Sequence, residues 1–454
     1  MVDQQSKDVI SKIMNMSCDR VKFAVSDIDG VLRGKYISRD KFMSAISGGL
    51  GFCSVVFGWD INDNCYDKGT VSGLHNGYPD QFVRLDLSTF RTIPWENNTP
   101  FLLGDFEKDS GKPLLVCPRQ TLKRVLEQAK DMGFNTKFGL EFEWFSFAET
   151  PQTLGIKNFC NPTTISPGAF GYSMLRPALN RDYFNAIMDT MGAFEIGLES
   201  FHTETGPGVL EAALVATNAL KAADEAILFK TAVKEIATSF GLIASFMAKW
   251  HPNLSGSGGH IHQSLWDSTN KNNVFFSNKD SHKMSDIFKY YVAGQVLILP
   301  EIMPLLAPNI NSYKRFVEGC WAPTKMSWGV DNRTSALRVI PGSNKSTRLE
   351  TRLGGSDINP YLAVAAALGA GLYGIKHKLK LDKPVSGDAS CDPRGLALSR
   401  NLEQACAKMT DSSAAVEILG REFVDHFLYT RQWECEKFNK AVTNYELERY
   451  FEIV

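Results

Sequence analysis

Glu141 and Glu143 stand two residues apart in a run of aromatics. His260 and His262 stand two apart behind the glycines Gly256, Gly258 and Gly259, and Arg348, Glu350 and Arg352 alternate along a third run. A spacing of two puts side chains on one face of a strand. Glu204 and Glu211 add two further carboxylates. Carboxylate oxygens and imidazole nitrogens are ligands for divalent cations, and arginine forks grip carboxylate or phosphate oxygens two at a time. Metal ions beside arginines are the equipment of phosphoryl transfer. The six expected metal ligands are therefore Glu141, Glu143, Glu204, Glu211, His260 and Glu350, each expected on a strand. Charges on one face of a central strand are costly unless paired or coordinated. A lone Glu-x-Glu is usually a solvated strand face; the ordered recurrence of such motifs favours chemistry. The glycines let backbone approach a ligand closely. They form no P-loop, because no Gly-x-x-x-x-Gly-Lys-Ser/Thr is present.

These residues need a sheet to hold them. A helix is expected over 4–16, then strands at 21–25 and 33–37 joined by the Asp29-Gly30 turn, a hairpin signal. Further strands are expected at 53–59, 82–87 and 101–106, with a loop over 64–80. A turn at 109–113 divides this sheet-rich unit, 17–113, from a second unit, 114–454. The second unit opens with an amphipathic helix, 119–132, before the Glu-x-Glu strand, 138–147. Residues 150–170 should be loop, 181–191 helix, 194–198 strand and 218–240 a long helix. Strands at 243–247, 259–265, 336–340 and 348–352 follow, with a helix over 285–306 and a loop over 314–323. Asn359 and Pro360 suit the N-cap and first turn of a buried helix. The remainder should be helical, apart from a loop at 384–393.

With 44% hydrophobic and 22% charged residues, the chain has an ordinary globular composition and can bury a large core. A net charge of −1 argues against nucleic acid or an anionic membrane as the main partner. Nine scattered cysteines without Cys-x-x-Cys suggest reduced thiols in the cytoplasm. No secretory signal or membrane-spanning run is expected.

Together these motifs resemble the glutamine synthetase superfamily over nearly the whole chain, including Asn359, Pro360 and Tyr361 and the C-terminal run from Val442 to Tyr450. The resemblance implies an α+β fold: an N-terminal β-grasp-like domain and a catalytic domain whose barrel-like antiparallel sheet is wrapped by helices. It implies ATP and Mg2+ or Mn2+ as cofactors. One metal would be held by Glu143, Glu204 and Glu211, the other by Glu141, Glu350 and His260. His262, Ser264, Arg333, Arg338 and Arg348 match nucleotide or phosphate contacts, and Arg333 would also act in catalysis. Gly256, Arg315 and Arg352 match contacts to the amino-acid substrate. Small molecules would be the main partners, and subunits would stack in rings, commonly dodecamers. The 57–63 loop would reach a neighbour's site.

The chain departs from ammonia-using relatives after Arg315. The position of the loop glutamate that takes a proton from ammonium holds Trp321, and Asp60 matches the amine-site aspartate only loosely. Ammonium needs anionic acceptors to shed water and a proton. An indole instead offers an apolar wall and a π-face. This looks like the γ-glutamyl-amine ligase branch, which joins glutamate to organic amines through a γ-glutamyl phosphate. Trp321 would then shape the amine site. Two alternatives stand beside this reading: ammonia use with Glu318 or Asp60 as the base, and a ring-forming relative without catalysis.

Overall fold

The computed structural model describes residues 4–69, 71–108 and 111–454. Residues 109 and 110 of the expected boundary turn lie outside them. The first sheet comprises β1 (Arg20–Ser26), β2 (Leu32–Ser38), β3 (Leu50–Cys53), β4 (Asp80–Ile93), β5 (Thr99–Lys108) and β6 (Lys112–Pro113). Its order is β2-β1-β5-β4-β3, with β6 on β5 and the β1–β5 pair parallel. Helices α1 (Gln4–Asn15) and α2 (Arg39–Gly48) flank it. The Asp29-Gly30 turn forms as expected: Gly30 takes φ 77°, and Asp27 Oδ1 accepts from the backbone N–H groups of Asp29 and Val31.

The second sheet comprises β7 (Asn135–Phe147), β8 (Leu198–Thr203), β9 (Val209–Leu214), β10 (Ile243–Ser245) and β11 (Gly259–Trp266), then β13–β15, after the two-residue β12 (Lys325–Met326). The last three are β13 (Trp328–Val330), β14 (Leu337–Ile340) and β15 (Arg348–Thr351), and β16 (Leu396–Ala397) pairs with β12. The order is β13-β14-β15-β11-β7-β9-β8, with β10 also on β7. Its helices are α3 (Pro118–Asp131), α4 (Pro151–Ile156), α5 (Arg176–Leu179), α6 (Arg181–Ala193), α7 (Ala219–Ser239), α8 (Asp286–Ile298) and α9 (Pro360–Lys376). Four more close the chain: α10 (Leu402–Asp411), α11 (Ser413–Leu419), α12 (Arg421–Lys440) and α13 (Asn444–Tyr450). Among the described residues no helix is long and apolar enough to cross a membrane.

One face of the second sheet is core. Leu140, Phe142 and Trp144 of β7 point there with Ile261 and Leu265 of β11 and Leu349 of β15, all 1% exposed or less. Phe142 and Trp144 pack against Phe229 of α7 and against Phe246. A closed ring of buried hydrogen bonds locks β11 to β15: Gln263 donates to Thr351, Thr351 to Gln295, and Gln295 back to Gln263. Arg119 ties the two sheets together, donating at 2.7–2.9 Å to Asp105, Asp86 and Asp224 on β5, β4 and α7. Tyr361 of α9 joins the same node through Asp224.

Four expectations on elements change. The apolar run 53–59 is not a strand: β3 ends at Cys53 and Ser54–Phe57 is a 3-10 turn, Val56 and Phe57 buried by tertiary packing. Residues 194–198 are not a strand either, because Glu195 takes φ 60° as the chain leaves α6, and β8 starts at Leu198. The 150–170 loop contains α4, capped by Thr150 with Pro151 in its first turn. The 285–306 helix stops at Ile298, two residues before Pro300, whose missing N–H cannot continue it.

Replacing Arg119 by methionine leaves Asp224 and Asp105 buried without their main cation. Breaking a buried pair this way costs about 3–5 kcal/mol, so urea unfolding should show a matching loss with the site otherwise intact.

Candidate active site

The other face of the second sheet carries the polar set. Strand register builds it in rows. Arg338 of β14 lies opposite Glu350 of β15, which lies opposite His262 of β11. His260 lies opposite Glu141 of β7. Glu143 lies opposite Glu211 of β9, which lies opposite His202 of β8. Glu204 differs from expectation: it sits in the β8–β9 turn, one residue past the strand.

The carboxylates converge in two groups. His260 Nδ1 is 2.8 Å from Glu141 and 3.6 Å from Glu350, so the expected Glu141, Glu350 and His260 do meet. His262 reaches the same carboxylates, and its Nε2 lies 3.5 Å from Glu141. Arg348 Nε donates to His262 Nδ1 at 3.2 Å. That bond leaves the proton on Nε2, so in this arrangement His262 donates toward Glu141. The second group is Glu204, Glu211 and His202, with ligand atoms within 4.8 Å of one another. Glu143, expected in this group, flanks it through its register with Glu211, and its carboxylate accepts from the Gly258 N–H at 2.8 Å.

The charge balance is uneven. Burial works to raise Glu350, but the charges of His260 and Arg352 override it and hold the carboxyl at about 2. Burial likewise works to raise Glu141, and hydrogen bonds from His260 and His262 hold it well below the usual range. Glu211 goes the other way: burial, with the charges of Glu141 and Glu143 adding to it, pushes its carboxyl up to about 8 despite His202. Five carboxylates with imidazoles between them, one too crowded to ionise readily, form a donor set that fits hard divalent cations.

Two cavities meet at Glu141. The larger, about 810 Å³, is lined by Lys137, His262, Ser264, Lys345, Ser346 and Arg348. It thus gathers three of the five residues expected near a nucleotide. Ser264 Oγ there accepts from Trp266 Nε1 at 3.0 Å. Arg338 is held instead between Asp331 and Glu350, at 2.6 and 2.9 Å. The other cavity, about 360 Å³, is lined by Glu141, Glu143, Glu204, Glu211 and His260 together with Gly256, Arg315, Arg333, Arg352 and Trp321. Arg315 is buried and donates to the Arg352 and Leu353 carbonyls. Arg352 pairs with Glu350 through Nη1, and among the described residues its buried Nε finds no partner. Such an orphan N–H beside an open space suits an incoming carboxylate. Gly256 makes the room: a Cβ there would lie 2.5 Å from the Ala248 carbonyl and 2.8 Å from Arg315 Cγ.

Trp321 does not pack into its loop. Its residue is 65% exposed, walls the smaller cavity and has φ 57°. A non-glycine residue in that region costs about 1–3 kcal/mol and persists only where its surroundings enforce it. Glu318 is exposed and lines a separate small pocket that shares Trp321 with the smaller cavity, not that cavity itself. Asp60 likewise lines neither of the two cavities that meet at Glu141. It accepts from the backbone N–H groups of Asn62 and Asn64, from the Asn64 side chain, and from Trp433 Nε1 of α12 at 2.9 Å. Its oxygens serve this turn rather than an amine site in the same chain.

His202 and Tyr172 enlarge the expected set. The Tyr172 ring lies 4.6 Å from His202 and lines the smaller cavity. His202 could be suspected from its nearness to Glu204; nothing local marks Tyr172, brought in by the 163–175 loop.

Residues 115–450 match the family profile described as glutamine synthetase, catalytic domain. The chain belongs to the glutamine synthetase family. Within that family it is 50% identical over 450 residues to type-1 glutamine synthetase 2 of Dictyostelium discoideum, covering 98% of this chain and 86% of that one. It is 35% identical to glutamate–isopropylamine ligase of a Pseudomonas species, over 100% of both chains. It is also 35% identical to γ-glutamylethanolamide synthetase of Streptomyces coelicolor, over 96% and 93% of the two chains. A solved structure of GmaS with ADP superposes with a TM-score of 0.86 at 24% identity, covering 99% of this chain and 100% of that one, which shows the shared fold. Like the rest of this family of ligases, the chain is a carbon–nitrogen ligase.

Replacing Gly256 by alanine should drive a methyl into Arg315 and raise KM for the amino-acid substrate at least tenfold. KM for ATP, measured in the same assay, should change little.

Proposed function

We propose that this protein joins the γ-carboxylate of glutamate to an organic amine at the expense of ATP, with Mg2+ or Mn2+ bound among its carboxylates. The observation that carries this reading is one sheet face on which the carboxylate–imidazole rows separate a basic cavity from an arginine-lined one, with Trp321 at the latter's wall. The curated relatives that make isopropyl and ethanol amides of glutamate support the organic amine.

In this reading ATP occupies the larger cavity, where Lys137, Ser264 and Arg348 stand beside the phosphate path. Glu143, Glu204 and Glu211 would hold one metal, and Glu141, Glu350 and His260 another. The bound cations would neutralise charge on the transferring phosphoryl group. Arg315 and Arg352 orient glutamate so that its γ-carboxylate oxygen faces the γ-phosphorus. That oxygen attacks, ADP leaves, and γ-glutamyl phosphate forms. Arg333, exposed at the cavity, supplies positive charge to the leaving phosphate. The amine nitrogen then attacks the acyl carbon, losing a proton as phosphate departs. Trp321 offers the amine an apolar wall and a π-face. The Arg338 guanidinium holds Glu350 in place.

We also assign residues 17–113 to an N-terminal domain and 114–454 to the catalytic domain, in a cytoplasmic ring-shaped homo-oligomer, a dodecamer by family analogy. There the 57–63 loop of one subunit would border the next subunit's site. Ammonia is the second reading, favoured by the 50% identical relative named as a glutamine synthetase.

Phosphate or ADP release with glutamate, ATP and a panel of amines separates the two: turnover with an organic amine well above ammonia supports the first, ammonia alone the second. Trp321→Glu should raise ammonia use and weaken organic-amine use, shifting the kcat/KM ratio. Cation–π contact of about 0.5–2 kcal/mol limits the indole's share to roughly a few-fold to thirtyfold. Trp321→Ala should weaken the organic amine without rescuing ammonia. Sizing at assay concentration should show a large oligomer; a fully active monomer would refute the shared site.

A further inference from the structure

Arg315 reaches the smaller cavity from the 3-10 turn Asn311–Arg315, and the segment that carries it is held at both ends. At one end the Arg315 guanidinium donates to the Arg352 and Leu353 carbonyls at 3.0 and 3.1 Å. At the other stands Asp357, a residue that the reaction as described does not use. Asp357 Oδ2 accepts from Ser312 Oγ at 2.5 Å and from Asn309 Nδ2 at 2.9 Å. Ser312 Oγ in turn accepts from the Asn309 N–H at 2.9 Å, so the three residues close a small knot. Both grips come from one short stretch, residues 352–357, between β15 and α9.

That stretch also braces the rest of the cavity. The Ser356 N–H donates to the Ser257 carbonyl and the Gly259 N–H to the Gly354 carbonyl, both at 3.0 Å, and Ser356 Oγ donates to the Glu143 carbonyl. Asp357 lines neither of the two cavities that meet at Glu141. Among the described residues it forms no ion pair, and its Oδ1 is buried with no hydrogen-bond partner. A carboxylate placed this way is costly to keep. Its hydrogen bonds are of the short, charge-assisted kind, and they point at one segment only, the one that ends in Arg315. Burial pulls the Arg315 guanidinium down to about 10, against the charges of Glu143 and Asp357.

We propose that Asp357 is a positioning residue for the acid substrate: by accepting from Ser312 and Asn309 it sets the turn that aims Arg315 at glutamate. Asp357 itself touches no substrate and acts through Arg315. The proposal rests on the reading above in which Arg315 holds glutamate, and adds to it the group that fixes Arg315. Arg315 grips glutamate alike before and during phosphoryl transfer, so its misplacement weakens binding of that substrate more than turnover. The hydrogen bonds carry the effect more than the charge, because an asparagine oxygen can accept from the same two donors.

The test measures kcat and KM for glutamate and for ATP by ADP release, at saturating ethylamine or, where that is the better acceptor, ammonia. Glutamate affinity is measured separately by calorimetry with Mg2+ and ADP present. Asp357→Ala removes both bonds and should raise KM and Kd for glutamate about tenfold or more. Its kcat and its KM for ATP should stay within about twofold of the wild type. Asp357→Asn keeps the acceptor oxygen and should stay within about threefold of the wild type in glutamate KM. Ser312→Ala removes one bond and spares the carboxylate, so it decides the matter if Asp357→Ala does not fold; glutamate KM should rise about threefold. An unchanged glutamate KM in Asp357→Ala, or in Ser312→Ala where the former does not fold, overturns the assignment while leaving amine ligation standing. Equal losses for glutamate and ATP, or an Asp357→Asn no better than Asp357→Ala, do the same. A wild-type protein that binds no glutamate overturns both.

Discussion

Too many carboxylates on one sheet face is the constraint that shapes this protein. Glu141 and Glu143 project from β7, Glu211 from the adjacent β9 and Glu350 from β15 on the other side of β11, and Glu204 joins them from a turn. Like charges at that density resist folding unless something positive answers them. Part of the answer is internal: Arg338 and Arg352 flank Glu350, and His260 and His262 face Glu141. Near Glu211 the answer is incomplete, because His202 alone does not keep its carboxyl in the ordinary range. Such a deficit suits a divalent cation, as the proposed phosphoryl transfer would require.

Such a face persists only if the sheet cannot relax. The opposite face supplies the rigidity. Aromatic packing of Phe142 and Trp144 against Phe229 and Phe246 fixes β7, and the Gln263–Thr351–Gln295 ring fixes β11 against β15. A slip of one residue would turn the glutamates into the core and the aromatics into solvent. The first sheet is held to this frame by the Arg119 node and by Asn359, whose amide donates to the Asp27 and Ile28 carbonyls. Helix α12 adds Arg431 on Asp29 and Trp433 on Asp60.

Much of this was legible in the sequence because alternation is local. The period of two in the runs around Glu141, His260 and Glu350 was enough to put ligands on one face and core on the other. Where tertiary contacts decide, the local pattern misled. Val55, Val56 and Phe57 have strand-like side chains, yet they lie in a 3-10 turn whose buried Phe57 packs against Phe106 and His426. The left-handed Glu195 carries no glycine to announce it. Asp60 looked available for chemistry because its partner, Trp433, is far away in sequence. Tyr172 reached the site through a loop whose path no periodicity encodes. The Trp321 substitution was visible, and the structure adds that its ring is exposed at the cavity wall.

In this reading the carboxylate face is a divalent-metal site. Mn2+ titration followed by electron paramagnetic resonance counts bound ions directly. More than one Mn2+ per chain is expected in the wild-type protein and at least one fewer in Glu211→Gln, with the fold retained by circular dichroism. Absence of stoichiometric Mn2+ binding, or a count unchanged by Glu211→Gln, would contradict it.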